Sequence, residues 1–514
     1  MTDADIYLQW AVASFVALFM IWRGQMTLFH PSAVYLAFHV IVFCIRPTMV
    51  HFFDFDFVFR YMEMLPKSQD LHLALYLSSA GLIALVLAFT LGSRGAVPLV
   101  FGPKRELNEF DRRAFYMMAA VFGPAGVYSA IAARPKGEMI NGVFVMTGTS
   151  GYVNDLQNVL IPVCIAFVLV FRWRWWSFLP FAGYIFYRMG QGWGRWTFIL
   201  SCFLLVLVWL WDHRRRFPPW WSLLAAPLMM MLFLKLSHDR MFFRTWLSGE
   251  KSYNVQRAET ARDWRVKWDT LDFANYDFLA YIVTHVPRHT KSYTYGAQYL
   301  QLFTEPIPRK LWKGKPIGAP VKFYDLNDYG NFVGLTPSIV GDGWQSGGWT
   351  GMIVTLSFAG GMLGYGYKWF TRNQDVVHKA CAFLIVNAMI IQLFRDGDIS
   401  IFKFLFFSLM PLFVWQFLSN RLRLESAVGD EREVFRDARF DRMASAGAAV
   451  EAGQLDSAAF REARRKEKEA DAEYEDEYEE EWDEDEDHAD EDGEDEQADD
   501  DERDADDRRN PHWR

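Results

Sequence analysis

The sequence predicts an all-α, polytopic membrane protein that ends in a disordered acidic tail. Apolar residues make up 51% of the chain and aromatic residues 17%, yet the mean hydropathy is only -0.02, so two opposite compositions are averaged. The last part, residues 421–514, contains 15 Lys/Arg against 37 Asp/Glu. All four cysteines lie inside long apolar runs. These observations exclude a soluble enzyme with a single core, a disulfide-stapled secreted domain and a fibrous protein.

The apolar runs define eleven candidate transmembrane helices. About 20 mostly apolar residues cross a hydrocarbon core of roughly 30 Å, and backbone polar groups in lipid must be paired within the helix. The first run follows Asp3 and Asp5 and lacks a basic segment and a cleavage site, so we expect a retained span rather than a signal peptide. The candidates are approximately residues 6–22, 30–45, 71–92, 114–133, 158–172, 175–188, 197–212, 220–237, 350–367, 379–394 and 399–418.

The distribution of basic residues predicts the orientation of these helices. Lys and Arg are concentrated in alternate short loops, which by the positive-inside rule face the cytoplasm. The N-terminus is then periplasmic and the C-terminus cytoplasmic. The predicted organisation is helices 1–8 in residues 1–237, a large periplasmic loop in 238–349, helices 9–11 in 350–420 and the cytoplasmic tail in 421–514.

The tail is predicted to be disordered. Of the 37 residues in 471–507, 26 are Glu or Asp, and such a segment buries too little apolar area to offset the entropy lost on ordering. Binding of a basic partner is the alternative to a tail without a specific role.

The large loop combines basic side chains with many Trp and Tyr residues. Guanidinium groups make planar, bidentate contacts to phosphate oxygens, and aromatic faces suit sugar rings. We therefore expect a lipid-linked phosphosugar to contact Arg240, Arg288, Arg309 and Lys310. The alternative is a hydrated loop with an aromatic belt at the membrane interface. Prolines at 306, 308 and 316 hold Arg309 and Lys310 in an extended strip, because proline disfavours helix there.

Two further arginines lie close to predicted spans. Arg195 follows a glycine-rich run beside the seventh span, and Arg395 lies in Arg395-Asp-Gly-Asp398 between two closely spaced spans. An arginine at membrane depth costs roughly 2.5–3.5 kcal/mol on insertion scales and is usually paired or functional. We expect both to contribute to anion binding, with pairing to Asp396 or Asp398 as the alternative for Arg395.

Two motifs carry a resemblance to a known family. They are Pro306-Ile-Pro-Arg-Lys-Leu-Trp-Lys-Gly-Lys-Pro316 and Thr336-Pro-Ser-Ile-Val-Gly-Asp-Gly-Trp344, followed by a glycine-rich span. This pattern resembles the Wzy-type O-antigen and oligosaccharide repeat-unit polymerases, most specifically over residues 295–366. Family members often carry an Asn-Phe-Gly run nearby, whereas this chain keeps Asp342 and Trp344 but continues as Gln345-Ser-Gly-Gly348.

The resemblance implies a metal-independent, inverting glycosyltransferase of the GT-C type in the bacterial inner membrane. Such enzymes transfer a growing glycan from undecaprenyl diphosphate to another lipid-linked repeat unit. No cofactor or metal is expected. A chain-length regulator and a flippase are candidate partners. The acceptor hydroxyl needs a base within hydrogen-bond reach, and the candidates are Asp342 and His285.

Other interpretations remain open at this point. A ligase that transfers glycan to a lipid acceptor, a glycolipid flippase or transporter, and an anchoring protein that works through its tail fit the same composition. His285 and His289 have helical spacing for a metal but lack a third ligand, and Asp54-Phe-Asp56 resembles a short metal motif. Nucleic acid is not expected as a partner, because the large loop faces outward and is only weakly basic.

Overall fold

The computed structural model describes residues 1–57, 65–100, 107–132, 137–140, 143–146, 155–190, 195–220, 274–300, 337–397 and 404–426, together with a few isolated positions. These residues are helical apart from connections and one short antiparallel hairpin. The helices are α1 (Asp3–Trp22), α2 (Pro31–His39), α3 (Arg46–Phe52), α4 (Ser68–Gly92), α5 (Glu109–Ala132), α6 (Leu160–Val170), α7 (Leu179–Gly190), α8 (Arg195–Asp212), α9 (Asn275–His285), α10 (Ser338–Arg372), α11 (Val377–Asp396) and α12 (404–426). The hairpin pairs β1 (Gly137–Ile140) with β2 (Val143–Met146).

Five helical segments are long and apolar enough to cross a membrane. They are Asp3–Trp22, Pro31–Phe52, Ser68–Gly92, Glu109–Ala132 and Val377–Asp396, and Gln157–Val170 and Phe198–Asp212 are shorter apolar helices. The chain is therefore a helical membrane protein, as predicted. The count of eleven spans stays a prediction, since most of the eighth candidate, 220–237, lies outside the described residues.

The second span is longer than predicted. A π-helical turn, Val40–Ile45, joins α2 to α3, so the helix continues through Arg46 to Phe52 instead of ending at residue 45. Pro47 lies just after this π-helical turn, inside the continuous helix. Arg46 is paired inside the protein, and its charge therefore does not end the helix.

The hairpin between the fifth and sixth predicted spans is tight. Helix α6 ends at Val170, Arg172 and Trp173 adopt left-handed backbone angles, and a short 3₁₀ turn leads into α7. The Trp173 indole donates to the Asp212 carboxylate at the end of α8 over 2.9 Å, which ties the turn to the neighbouring helix.

Glycines bring α4 and α10 into close contact. A Cβ atom at Gly360 would collide with the Leu85 carbonyl oxygen, and one at Gly364 would collide with that of Phe89. The four-residue spacing of small residues predicts this close approach, and the structure confirms it. A Cβ atom added at Gly361, by contrast, would have nothing within 4 Å.

Helix α10 is kinked at Gly347 and Gly348, about one third of the way along its length. Gly347 and Gly348 are non-helical, and Gly348 has φ +61°. A Cβ atom at Gly343 would lie 2.6 Å from the Met352 Cα, so the segment before the kink folds back against the segment after it. The kink coincides with the predicted boundary between the large loop and the ninth span. The loop itself contains α9 and this short helical segment, and neither was predicted.

The contacts between helix termini define two ends of the bundle. At one end, which we call the α9 end, His51 pairs with Asp3 and the N-terminal amine donates to Ser68. At the opposite end, Arg214 pairs with Asp375 over 3.0 Å, and Arg372 donates to the Gly95 carbonyl oxygen. Each of these contacts joins segments that the distribution of Lys and Arg predicts to lie on the same side of the membrane. Residues 424–514 form a separate unit, and their predicted disorder lies outside the described residues apart from a few positions.

Candidate functional site

Helix α9 forms the centre of the α9 end. All of its residues from Asn275 to His285 are buried, although it lies within a segment predicted as a loop. The Asn275 side-chain amide donates to the Arg395 carbonyl oxygen over 2.9 Å, and the Tyr276 hydroxyl donates to the Leu71 carbonyl oxygen over 3.2 Å. These bonds join α9 to the end of α11 and the start of α4.

A buried ion pair fixes the first turn of α9. The Arg46 guanidinium donates from Nε to Asp277 Oδ1 over 3.2 Å and from Nη2 to Asp277 Oδ2 over 2.8 Å. Both side chains are 1% exposed. Nη2 also donates to the Asp56 carbonyl oxygen over 2.9 Å. This pair was not predicted from the sequence, although an arginine at the end of an apolar run is a signal for a buried partner.

A second ion pair fixes the other end of α9. Arg288 Nη1 lies 2.7 Å from Asp70 Oδ1, with the Asp70 carboxylate buried and Arg288 half exposed. Asp70 Oδ2 accepts from the Lys67 backbone N–H over 3.2 Å and from the Thr284 hydroxyl over 3.3 Å. Asp70 was also missed, because nothing in the sequence links the start of α4 to a loop more than 200 residues away.

His285 is buried beside this ion pair, and neither of its ring nitrogens has a hydrogen-bond partner. Its ring centroid lies 4.1 Å from that of Tyr281 and 5.2 Å from that of His289. The pKa of His285 is lowered to about 4, chiefly by burial and also by His289, against an opposing effect of Asp70. The imidazole is therefore neutral at pH 7, with one nitrogen able to accept a proton.

Asp342 lies on the short segment of α10 before the kink, which packs along α9. A Cβ atom at Gly341 would lie 2.9 Å from Ile282 Cδ1, and the Trp344 indole donates to the Val286 carbonyl oxygen over 2.9 Å. The Asp342 carboxylate lies directly against Gly397, which has φ +85° and has no room for a Cβ atom. The carboxylate is thus held beside the Arg395-Asp396 turn, where Arg395 pairs with Asp396.

The segment that follows α9 is hydrogen-bonded to the short helix, which is the part of α10 before the kink. The Thr294 backbone N–H donates to the Gln345 carbonyl oxygen over 2.8 Å, and that of Tyr295 donates to the Ser346 carbonyl oxygen over 3.1 Å. The Gln298 amide donates to the Ser346 hydroxyl over 2.6 Å. These bonds fix the short helix relative to the loop that follows α9.

The predicted site residues fall into two groups along α9. Asp342 lies beside Arg395, whose carbonyl oxygen is bound by Asn275, and His285 lies near Arg288 at the other end of the helix. The ten-residue separation of Asn275 and His285 corresponds to roughly 15 Å along a helix. The remaining predicted residues are less informative: Arg195 begins α8 but its side chain is not described, and Arg240, Arg309 and Lys310 lie outside the described residues.

The described residues supply no further ligand for a metal at His285 and His289 or at Asp54 and Asp56. In that part of the chain, no group of three or more His, Cys, Asp or Glu side chains is arranged to hold a metal ion. Asp54 adopts a left-handed φ of 56°, and its carbonyl oxygen accepts from Arg265. The Asp56 carbonyl oxygen is bound by Arg46.

Fold and site together define a helical membrane protein with buried ionic and polar side chains gathered around one short helix at the end of its bundle. Comparisons with models of known protein families, with characterised proteins and with solved structures find no match to this chain.

Proposed function

We propose that the protein polymerises undecaprenyl-diphosphate-linked oligosaccharide repeat units into a surface polysaccharide. The observation that carries the proposal is the gathering of Asp342, His285, Arg288 and Arg395 around α9 at one end of the bundle. A glycosyl transfer from a lipid diphosphate needs a base for the acceptor and cations for the leaving group, and this end supplies both kinds of side chain. The resemblance of residues 295–366 to the Wzy-type polymerases supports the same reaction.

The proposed reaction is a single displacement at the anomeric carbon of the donor glycan. The acceptor hydroxyl oxygen attacks this carbon, and the bond from the carbon to the diphosphate oxygen breaks with inversion. Asp342 accepts the hydroxyl proton, and the undecaprenyl diphosphate departs with the electron pair of the broken bond. Preorganised cations stabilise the charge that develops on this leaving group. We assign this role to Arg395, which lies beside Asp342, and to Arg288, which follows the helix that ends at His285.

Asp342 is the first candidate for the base, and His285 is the second. The packing of the short helix against α9 fixes the position of Asp342, and the absence of a side chain at Gly397 leaves room for its carboxylate. His285 is neutral at pH 7, but its lowered pKa makes it a weak proton acceptor at that pH. The two candidates have different neighbours, so single variants separate their roles.

The proposal places the α9 end at the periplasmic face of the inner membrane. The loops at the opposite end carry most of the short-loop Lys and Arg residues, which favours the cytoplasmic side for them. A cysteine introduced at Ser93 in a cysteine-free background should resist an impermeant maleimide in intact cells. Labelling of that cysteine would contradict the orientation.

A deletion strain tests the function and separates it from its rivals. We expect loss of the polysaccharide length ladder with single repeat units still attached at the surface. Polymer that stays on undecaprenyl lipid would favour a ligase, and repeat units retained inside the cell would favour a flippase. Complementation with Asp342→Asn should fail. The matched control is Asp375→Asn, which changes an exposed carboxylate at the opposite end of the bundle and should restore the ladder.

A further inference from the structure

The geometry points to Asp70 as a positioning residue that holds Arg288 as a phosphate-binding group. The inference rests on the proposed function, because the phosphate is taken to be part of the lipid diphosphate. The sequence did not single out Asp70, which lies in the first turn of α4. Its partner, Arg288, follows α9 and was predicted only as one cation among several in a loop.

The Asp70 carboxylate is unusually well fixed for a group at a helix terminus. It is 0% exposed and contacts Arg288, the Lys67 backbone N–H and the Thr284 hydroxyl. A buried carboxylate is costly unless it is paired and hydrogen-bonded, so the loss of Arg288 would leave an uncompensated charge. The pair therefore orients the guanidinium and limits its movement.

The rest of the Arg288 guanidinium remains available for a ligand. A guanidinium has five N–H donors in a planar fork, and Asp70 contacts Nη1. The Arg288 side chain is 50% exposed, so a ligand can reach it from solvent. This arrangement suits the oxygens of a phosphate or diphosphate, which an arginine binds in bidentate fashion.

His285 provides an independent indication of a polar ligand at this place. It neighbours Thr284, which contacts Asp70, and its side chain is almost fully buried with both ring nitrogens unpartnered. Buried polar atoms normally have partners. A polar ligand held by Arg288 would offer the imidazole a hydrogen-bond partner.

The opposite end of the bundle contains a matched pair. Arg423 Nη2 lies 2.8 Å from Asp111 Oδ1, with exposures of 44% and 7% for the two side chains. Asp111 also accepts from the Ser419 hydroxyl. This pair has the same combination of a buried carboxylate and a half-exposed arginine but lies away from α9. Asp111→Asn therefore controls for the loss of a buried carboxylate that pairs with a half-exposed arginine elsewhere in the protein.

The test is calorimetric binding of inorganic pyrophosphate to the purified full-length protein. We expect Asp70→Asn to weaken binding by about tenfold or more, the size expected for hydrogen bonds to a charged group. Asp111→Asn should bind like the wild type. In an Arg288→Gln background, Asp70→Asn should cause no further loss, because Asp70 acts through Arg288.

Two results would overturn the inference. One is unchanged pyrophosphate binding in Asp70→Asn; the other is an equal loss of affinity with and without Arg288. If Asp70→Asn does not accumulate, Asp70→Glu gives the same readout, since it keeps the buried charge and displaces the carboxylate by one methylene. Pyrophosphate binding that depends on Asp70 in a protein that makes no polymer would sustain the inference and reject the proposed function.

Discussion

Breaking the buried Arg46–Asp277 pair should destabilise the protein more than any exposed ion pair does. In Asp277→Asn the buried negative charge that faces the Arg46 guanidinium is removed, while Arg46 keeps its bond to the Asp56 carbonyl oxygen and stays 1% exposed. Removing one partner of a buried pair typically costs about 3–5 kcal/mol, because the other charge is left uncompensated. Two bonds, of 2.8 and 3.2 Å, join the side chains, so we expect a loss of about 3–5 kcal/mol for this pair.

The double variant Arg46→Met/Asp277→Leu provides the decisive comparison. Replacement of a buried ion pair by apolar residues of similar volume is often neutral or stabilising, so we expect much of the loss to be recovered. The matched control is Glu109→Gln. The Glu109 and Arg113 side chains are 73% and 64% exposed, and an i,i+4 pair of this kind contributes about 0.3–0.5 kcal/mol.

The assay is unfolding by SDS titration in mixed micelles, followed by tryptophan fluorescence. The free energy of unfolding should fall by about 3–5 kcal/mol for Asp277→Asn. A loss below about 1 kcal/mol, comparable to that of an exposed pair, would refute the reasoning. A double variant as unstable as Asp277→Asn would show that the cost comes from packing and not from an unpaired charge.

Three further predictions concern other parts of the molecule. Gly360→Ala should lower the free energy of unfolding by about 1–3 kcal/mol through its collision with Leu85, whereas Gly361→Ala should raise it by up to roughly 1 kcal/mol; equal effects of the two would contradict the helix contact. Burial lowers the pKa of His285 from 6.5 to about 4, so below pH 6.5 the unfolded protein binds a proton that the folded protein does not. The stability contributed by the neutral, buried His285 is therefore fully present above pH 6.5 and is lost as the pH falls towards 4. His285→Asn should flatten that part of the pH profile of thermal stability, and parallel profiles would refute it. Arg309→Lys keeps the charge but loses the planar fork, so turnover should fall by about 10²–10³; near-normal turnover would remove Arg309 from the site.

The sequence predicts those parts of the fold that depend on local patterns. Apolar runs of sufficient length locate the membrane helices, and the spacing of Gly360 and Gly364 predicts a close helix contact, although only the structure identifies α4 as the partner. In the second span the predicted end at residue 45 was too early. Arg46 would end a span exposed to lipid, but here Asp277 compensates its charge from 231 residues away in the chain.

The candidate site depends on contacts that no local pattern reveals. Helix α9 is only 11 residues long and lies between polar segments, so its apolar positions resemble an interfacial loop. Asp70 and Asp277 become recognisable only when α4, α9 and the second span are brought together. Asp342 was predicted from a motif, and its position against Gly397 follows from the fold of the short helix before the kink.

The most direct test of the central claim is a reconstituted polymerisation assay. Purified protein in liposomes is supplied with lipid-linked repeat units from a strain that lacks this chain, with EDTA present. We predict a ladder of longer lipid-linked glycans for the wild type and almost none for Asp342→Asn. Failure of the wild type to extend intact repeat units, or equal ladders for wild type and Asp342→Asn, would contradict the account.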